Sequence, residues 1–148
     1  MNMTNLETAK KALINYENSF VCMKGEEIHT SKKHGIAPIL ELIKEKKEVL
    51  IKATIADKVI GKAAALLLIK ADIKEMYAGI ISEHALKILL QNHITVEYDT
   101  LVPYISNRKN DGMCPMEEAV LQIDSPEEAY LVLINKVAQM QQPIAKVQ

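Results

Sequence analysis

Apolar residues recur along this chain with two different periods. In residues 5–17, NLETAKKALINYE, Leu6, Ala9, Leu13 and Tyr16 fall at three- and four-residue steps. That spacing predicts an amphipathic helix, with Thr4 or Asn5 as its cap. The following SFVCMKGEEIHTSK changes to alternation, Val21 and Met23 against Cys22 and Lys24, and Gly25-Glu26 supplies the turn of a β-hairpin. Gly35 and Pro38 open a second helix, APILELIKEKK, with Ile39, Leu40 and Ile43 turned inward. EVLIKATI, 48–55, is a β-branched run that reads as a strand buried on both faces, as in parallel sheets. A helix follows from about Asp57 to Lys70 or Ala71.

The alternation of strand and helix then continues. IKEMYAGII is a strand in which Met76, Ala78 and Ile80 alternate against Lys74 and Glu75. SEHALKILLQNH is a helix capped by Ser82, its apolar face formed by Ala85, Leu86, Leu89 and Leu90. ITVEYDTLV is a third such strand, and PYISNRKNDGMCP a loop marked by Pro103, Asn107, Asn110, Asp111 and Gly112. PMEEAVLQI is a short helix. In SPEEAYLVLINKVAQM, Ser125, Pro126 and Glu128 stand at N-cap, N1 and N3 of a final helix. The order is helix, hairpin, helix, strand, helix, strand, helix, strand, helix, helix. It implies an α/β fold with right-handed parallel crossovers after the hairpin.

Length narrows this to one domain, 1–148, with 138–148 expected to fray. Aromatic residues are only 4% of the chain, with no Trp, so the core must be aliphatic. That shortage, with a formal net charge of -1 and no long basic run, argues against nucleic acid, which needs a broad basic surface or stacking platforms. No apolar run is long enough to span a membrane, the N-terminal residues lack a signal pattern, and the two cysteines lie far apart. These features point to a cytoplasmic protein with reduced thiols.

Candidate chemistry concentrates at two places. In open α/β sheets ligands favour the carboxyl ends of strands, where helices begin. A helix start there offers N–H groups to an anion. On the predicted boundaries, Asp57, Lys58, Gly61 and Lys62 form such a start, with the two lysines on one helical face and Gly61 permitting close approach. The same residues also suit an ordinary cap, a packing glycine and solvated lysines. ADKVIGKA is not a P-loop, because Ala56 replaces its first Gly and Ala63 its Ser or Thr. The second place is NRKNDGMCPMEE. There Cys114, Pro115 and Glu117 stand at N-cap, N1 and N3, and Asn107 and Arg108 could offer an amide and a planar bidentate donor. Cys114 fits a small packed residue equally well. Of four histidines, His34, just before Gly35 at the entry to the second helix, is the one to watch; no zinc-protease spacing occurs.

The element order over roughly residues 5–100 resembles the cytidine-deaminase-like fold: three layers, with a mixed sheet of about five strands and helices on both faces. That resemblance implies an active site at two helix starts, His-Ala-Glu at the first and Pro-Cys-x-x-Cys at the second, holding zinc. Here HGI at 34–36 falls near the first, with Ile36 in place of Glu. ADKVIG at 56–61 falls near the second, with Asp57, Lys58 and Gly61 in place of the thiolates. Zinc-dependent deamination is therefore not expected, and no metal or other cofactor is implied. More closely, ADKVIGKAAA, VPYISNR and MCPME are similar to strings of a small bacterial family of this fold without the zinc motifs, whose activity is unassigned. The resulting expectation is a pocket for a small anionic or nucleotide-like ligand, formed by Asp57, Lys58 and Lys62 and lined or covered by Asn107, Arg108 and Cys114. Two alternatives stay open: Cys- or Lys-dependent transfer chemistry, and a structural or partner-binding protein, such as a homodimer built on aliphatic helix faces.

Overall fold

The computed structural model describes residues 3–140. Five strands form one mixed sheet in the order β2-β1-β3-β4-β5. Helix α1 (Asn5–Asn15) covers one face. Its start is a capping box: the Thr4 hydroxyl accepts from Glu7 N at 3.1 Å, and the Glu7 carboxylate accepts from Thr4 N at 3.1 Å. Ala9 and Leu13 of α1 pack on Val21, Ala56 and Tyr77. Tyr16, expected on that face, lies beyond the helix and is exposed.

Strands β1 (Phe20–Lys24) and β2 (Glu27–Ser31) make the expected hairpin, Lys24 opposite Glu27. Gly25, first of the two turn residues, has φ +62°, the conformation a tight hairpin turn asks of glycine. Helix α2 (Ala37–Lys46) follows, with Pro38 in its first turn and Ile39 buried. Strand β3 (Thr54–Ile60) is antiparallel to β1 and parallel to β4 (Glu75–Ser82), which is parallel to β5 (Thr95–Val102). Between the strands run α3 (Lys62–Lys70) and α4 (Glu83–Gln91), and after β5 come α5 (Pro115–Ala119) and α6 (Pro126–Met140). Helices α2 to α6 share the main core on the second face, which completes the three layers. No helix among the described residues is long and apolar enough to cross a membrane.

Helix α3 explains the AAALLL run. It is enclosed by the sheet and by α2, α4 and α6, and every residue from Lys62 to Leu68 is buried. A helix apolar all round has to be interior.

Two element starts and the facing of residues in two more elements differ from the sequence reading. The run Val49–Ile51 is not strand: Lys47–Val49 form a short 3-10 turn and the chain reverses before β3 starts at Thr54. As a result Asp57 and Lys58 lie in a strand, and α3 starts five residues later than expected, with Gly61 at its N-cap. The alternation in β4 breaks at Gly79, so that Ile80 is exposed and Ile81 buried. In α4, Ala85 and Leu89 point inward but Leu90 is 54% exposed. At the chain end, 138–140 are still helical, while the rest of the expected frayed segment, 141–148, lies outside the described residues.

Candidate functional site

The carboxyl edge of the sheet is where β3 delivers α3 and β4 delivers α4. Asp57 sits at the middle of β3, short of that edge, between Phe20 and Ala78, both apolar and both buried. Burial there pushes its carboxyl up to about 8, offset in part by the backbone N–H groups of Val59 and Lys58. One of these bonds is explicit, Val59 N donating to Oδ1 at 3.2 Å. Asp57 is thus a buried carboxylic acid rather than a helix cap. Lys58 points to solvent from the strand, while Lys62 is buried, so the two lysines do not share a helical face.

The N-terminus of α3 is occupied from within the chain. The Lys62 and Ala63 backbone N–H groups donate to Glu117 Oε1 and Oε2 at 2.6 and 3.0 Å. Glu117 comes from α5, across more than fifty residues, and its side chain serves α3 rather than its own helix. Burial raises its pKa, offset by those two N–H groups and then by the nearby His84 and Lys62. Gly61 makes room for it: a Cβ at that position would lie 2.4 Å from the Glu117 carboxyl carbon. The Lys62 ammonium donates to Leu121 O at 3.0 Å and pairs with Asp124 Oδ1 at 3.1 Å. Lys62 therefore ties the α5–α6 connection to α3 with both backbone and side chain. The helix start expected at about Asp57 lies at Lys62, with Gly61 as its N-cap, and its Lys62 and Ala63 N–H groups are taken by the protein's own carboxylate.

The remaining predicted residues scatter. Cys114 is the N-cap residue of α5, as expected, without a side-chain capping bond; its carbonyl accepts from Glu117 N at 2.9 Å. Asn107 organises its own loop, exchanging side-chain hydrogen bonds with Asp111 at 2.9 and 3.2 Å. Arg108 and His34 are exposed. No hydrogen bond or ion pair among the described residues joins His34, Asn107 or Arg108 to the start of α3. The structure brings together Gly61, Lys62 and Glu117 from the predicted set, with Cys114 one turn away from Glu117.

Zinc does not fit this arrangement. Where the deaminase pattern would place thiolates, the start of α3 offers Gly61 and Lys62 with a carboxylate already bound to backbone N–H groups. Among the described residues, no three His, Cys, Asp or Glu side chains gather in a way that could hold a metal ion.

A feature the sequence reading missed lies beside Glu117. A cleft of about 410 Å³ runs between α3, α4 and the start of α6. Lys62, His84, Lys87 and Asp124 bring charge or a titratable ring to it; Leu66, Ile69, Ile88 and Pro126 are apolar walls; Gln91 and Asn92 complete it. The signal for it was present. His84, Lys87, Ile88 and Gln91 are spaced i, i+3, i+4, i+7, one face of a helix. Ser82, whose hydroxyl accepts from Ala85 N at 3.2 Å, marks that helix as starting at a strand's carboxyl end. The rule applied to 57–62 applied equally to 82–91.

Comparison with known proteins agrees with this architecture. A family model described as TM1506, a domain of unknown function (DUF1893), matches residues 8–137. Among solved structures the chain is similar to that of a DUF1893 family protein (TM1506) from Thermotoga maritima. The two are 31% identical, the match covers 92% of each chain, and the TM-score is 0.83. No curated protein matches the chain.

Proposed function

The chain belongs to the DUF1893 family, and from that premise we propose that it binds a small anionic ligand in the cleft between α3, α4 and α6. The scaffold would be of the cytidine-deaminase-like type, working without zinc. The observation that carries this reading is the lining of the cleft. His84 and Lys87 line it beside the Lys62–Asp124 pair, over walls made by Leu66, Ile69, Ile88 and Pro126. Small-molecule sites are concave and mostly apolar, with a few convergent polar groups that fix orientation. His84 stands in the first turn of α4, where the helix end adds positive potential. Lys62 is already paired with Leu121 O and Asp124 and forms the buried base of the cleft. His84 and Lys87 are exposed and supply the direct contacts to charge.

Titration of 15N-labelled protein with inorganic phosphate and with nucleotides, followed by NMR, tests the reading. The expected outcome is shift changes clustered at 62–69, 84–92 and 124–126. Lys87→Ala should weaken binding about tenfold or more, since a hydrogen bond to a charged group is worth about 1.5–3 kcal/mol. Changes centred on Asn107 and Arg108, or none with any anion, would sink it.

A second reading, self-association, draws on α6. Leu131 is 68% exposed, and Ile134, one turn along, is 39% exposed. Light scattering on the eluted protein decides it: a monomer unaffected by concentration removes this reading.

A further inference from the structure

Among the described residues the sheet ends at β2 on one side and at β5 on the other. Hydrogen-bonded and non-bonded pairs alternate along an antiparallel ladder. The two-residue turn at Gly25-Glu26 makes Lys24–Glu27 the first bonded pair of the hairpin, and Cys22–His29 and Phe20–Ser31 follow. Lys58 N donates to Ser19 O at 3.2 Å, which agrees: odd-numbered residues of β1 turn their backbone to β3, even-numbered ones to β2. Ile28 and Thr30 therefore direct their N–H and C=O groups outward. Residues 28–31 line, one after another, an open groove of about 290 Å³ whose other wall is Pro38, Glu41 and Leu42 of α2. Such consecutive lining means that the strand's edge, not one of its faces, borders the groove. Ile28, in the middle of that edge, is 46% exposed.

Charge is ordered along the same edge. Glu26 precedes β2 and Lys32 follows it, and both are exposed. Their neighbours are already paired, Glu27 with His29 and Lys33 with Glu41. Among the described residues Glu26 has no ion-pair partner, and the Lys32 ammonium donates only to a neutral carbonyl, Tyr16 O, at 3.0 Å.

We propose that β2 pairs antiparallel with β2 of a second copy of this chain, about a two-fold axis at His29, which joins the two five-stranded sheets into one. Outward groups bond only to outward groups. The register that uses all of them sets Ile28 opposite Thr30 of the second copy and Thr30 opposite its Ile28, each pair exchanging N–H···O bonds in both directions. That register, fixed by the backbone alone, also sets Glu26 opposite Lys32 of the second copy, once on each side of the axis. Charges on an edge strand ordinarily prevent pairing. Here acid comes first and base last, so reversing the second strand brings each charge to its opposite. Ile28 is covered by the second copy's Thr30, which lies on the same face. The other edge lacks this match: β5 carries Glu97 and Asp99 and no cation. This interface is separate from both the cleft and the exposed face of α6. An edge of five residues buries little surface, so the dimer is weak and depends on concentration.

Sedimentation velocity of the intact chain, from micromolar to millimolar concentration, tests the proposal. Wild type should show a monomer–dimer equilibrium, and hydrogen exchange at the Ile28 and Thr30 amides should slow as the dimer fills. Lys32→Glu sets acid against acid on both sides of the axis and should weaken the dimer about tenfold or more. Adding Glu26→Lys to that variant restores the match and should recover the dimer. Thr30→Pro removes an outward donor that the hairpin does not use and should abolish it. Leu131→Glu on α6 should leave it unchanged. Circular dichroism and urea unfolding check that each variant folds. A monomer at every concentration overturns the proposal and leaves this edge to an extended peptide of another protein. A dimer that survives both Lys32→Glu and Thr30→Pro also overturns it, and one lost only with Leu131→Glu places the interface on α6 instead.

Discussion

Replacing Gly61 by Ala isolates the contact that closes the start of α3. Gly61 has φ -105° and ψ -174°, extended backbone that alanine adopts without strain. Alanine is a poorer N-cap than glycine by about 1 kcal/mol or less. The cost must then come from Glu117, whose carboxyl carbon and oxygens would lie 2.4 to 2.5 Å from the new methyl. To escape, the carboxylate has to leave both Lys62 N and Ala63 N. Hydrogen bonds to charged groups are worth about 1.5–3 kcal/mol each, so losing two costs about 3 kcal/mol at the low end of that range. That is a large share of the roughly 5–15 kcal/mol that holds a domain folded. The experiment is a double-mutant cycle, Gly61→Ala and Glu117→Ala singly and together, read by urea unfolding at pH 7 with the slope checked for constancy. Each single variant should lose about 3 kcal/mol. In the Glu117→Ala background the methyl meets no carboxylate, so adding Gly61→Ala should cost about 1 kcal/mol or less, a coupling near 2 kcal/mol. If Gly61→Ala cost the same in both backgrounds, the reasoning that Gly61 exists to seat Glu117 would be wrong.

Asp57 provides a pH signature. Its carboxyl sits at about 8 in the folded protein against an ordinary 3.8. Between these values the folded state holds a proton that the unfolded state has released. Its contribution is fully present below the unfolded pKa and is lost as pH rises towards 8, at most about 1.4 kcal/mol per unit. Asp57→Asn retains an acceptor for Val59 N and should flatten the fall in stability between pH 5 and pH 8; identical pH profiles for the two proteins would refute the assignment. At Gly79 a Cβ would lie 2.8 Å from the Lys58 carbonyl oxygen, which is backbone and cannot swing aside. Gly79→Ala should therefore cost about 1–3 kcal/mol in thermal or urea unfolding. At Gly112 the nearest atom is Asn107 Nδ2 at 3.6 Å, and Gly112→Ala should stay within about 0.5 kcal/mol of wild type.

The sequence by itself determined the kinds of element and their order. Periods of two and of 3.6 residues are local properties, as are the caps at Thr4, Ser82 and Ser125, whose hydroxyls accept from N–H groups three residues on. Tertiary structure decided where β3 ends and α3 begins. Val49–Ile51 and Thr54–Ile60 are both rich in strand-forming residues, and only pairing with β1 and β4 selects the second. That choice carried Asp57 and Lys58 out of the helix and into the sheet. The site depended still more on distant contacts. Glu117 reads locally as the N3 residue of α5, yet its carboxylate binds α3. His84 and Lys87 lie on α4 and Lys62 on α3, and they share a cleft because parallel crossovers set α3 and α4 side by side. A residue's spacing is written along the chain. The partner that meets its charge is chosen by the packing of segments far apart in sequence, where one apolar stretch can be exchanged for another with little local cost.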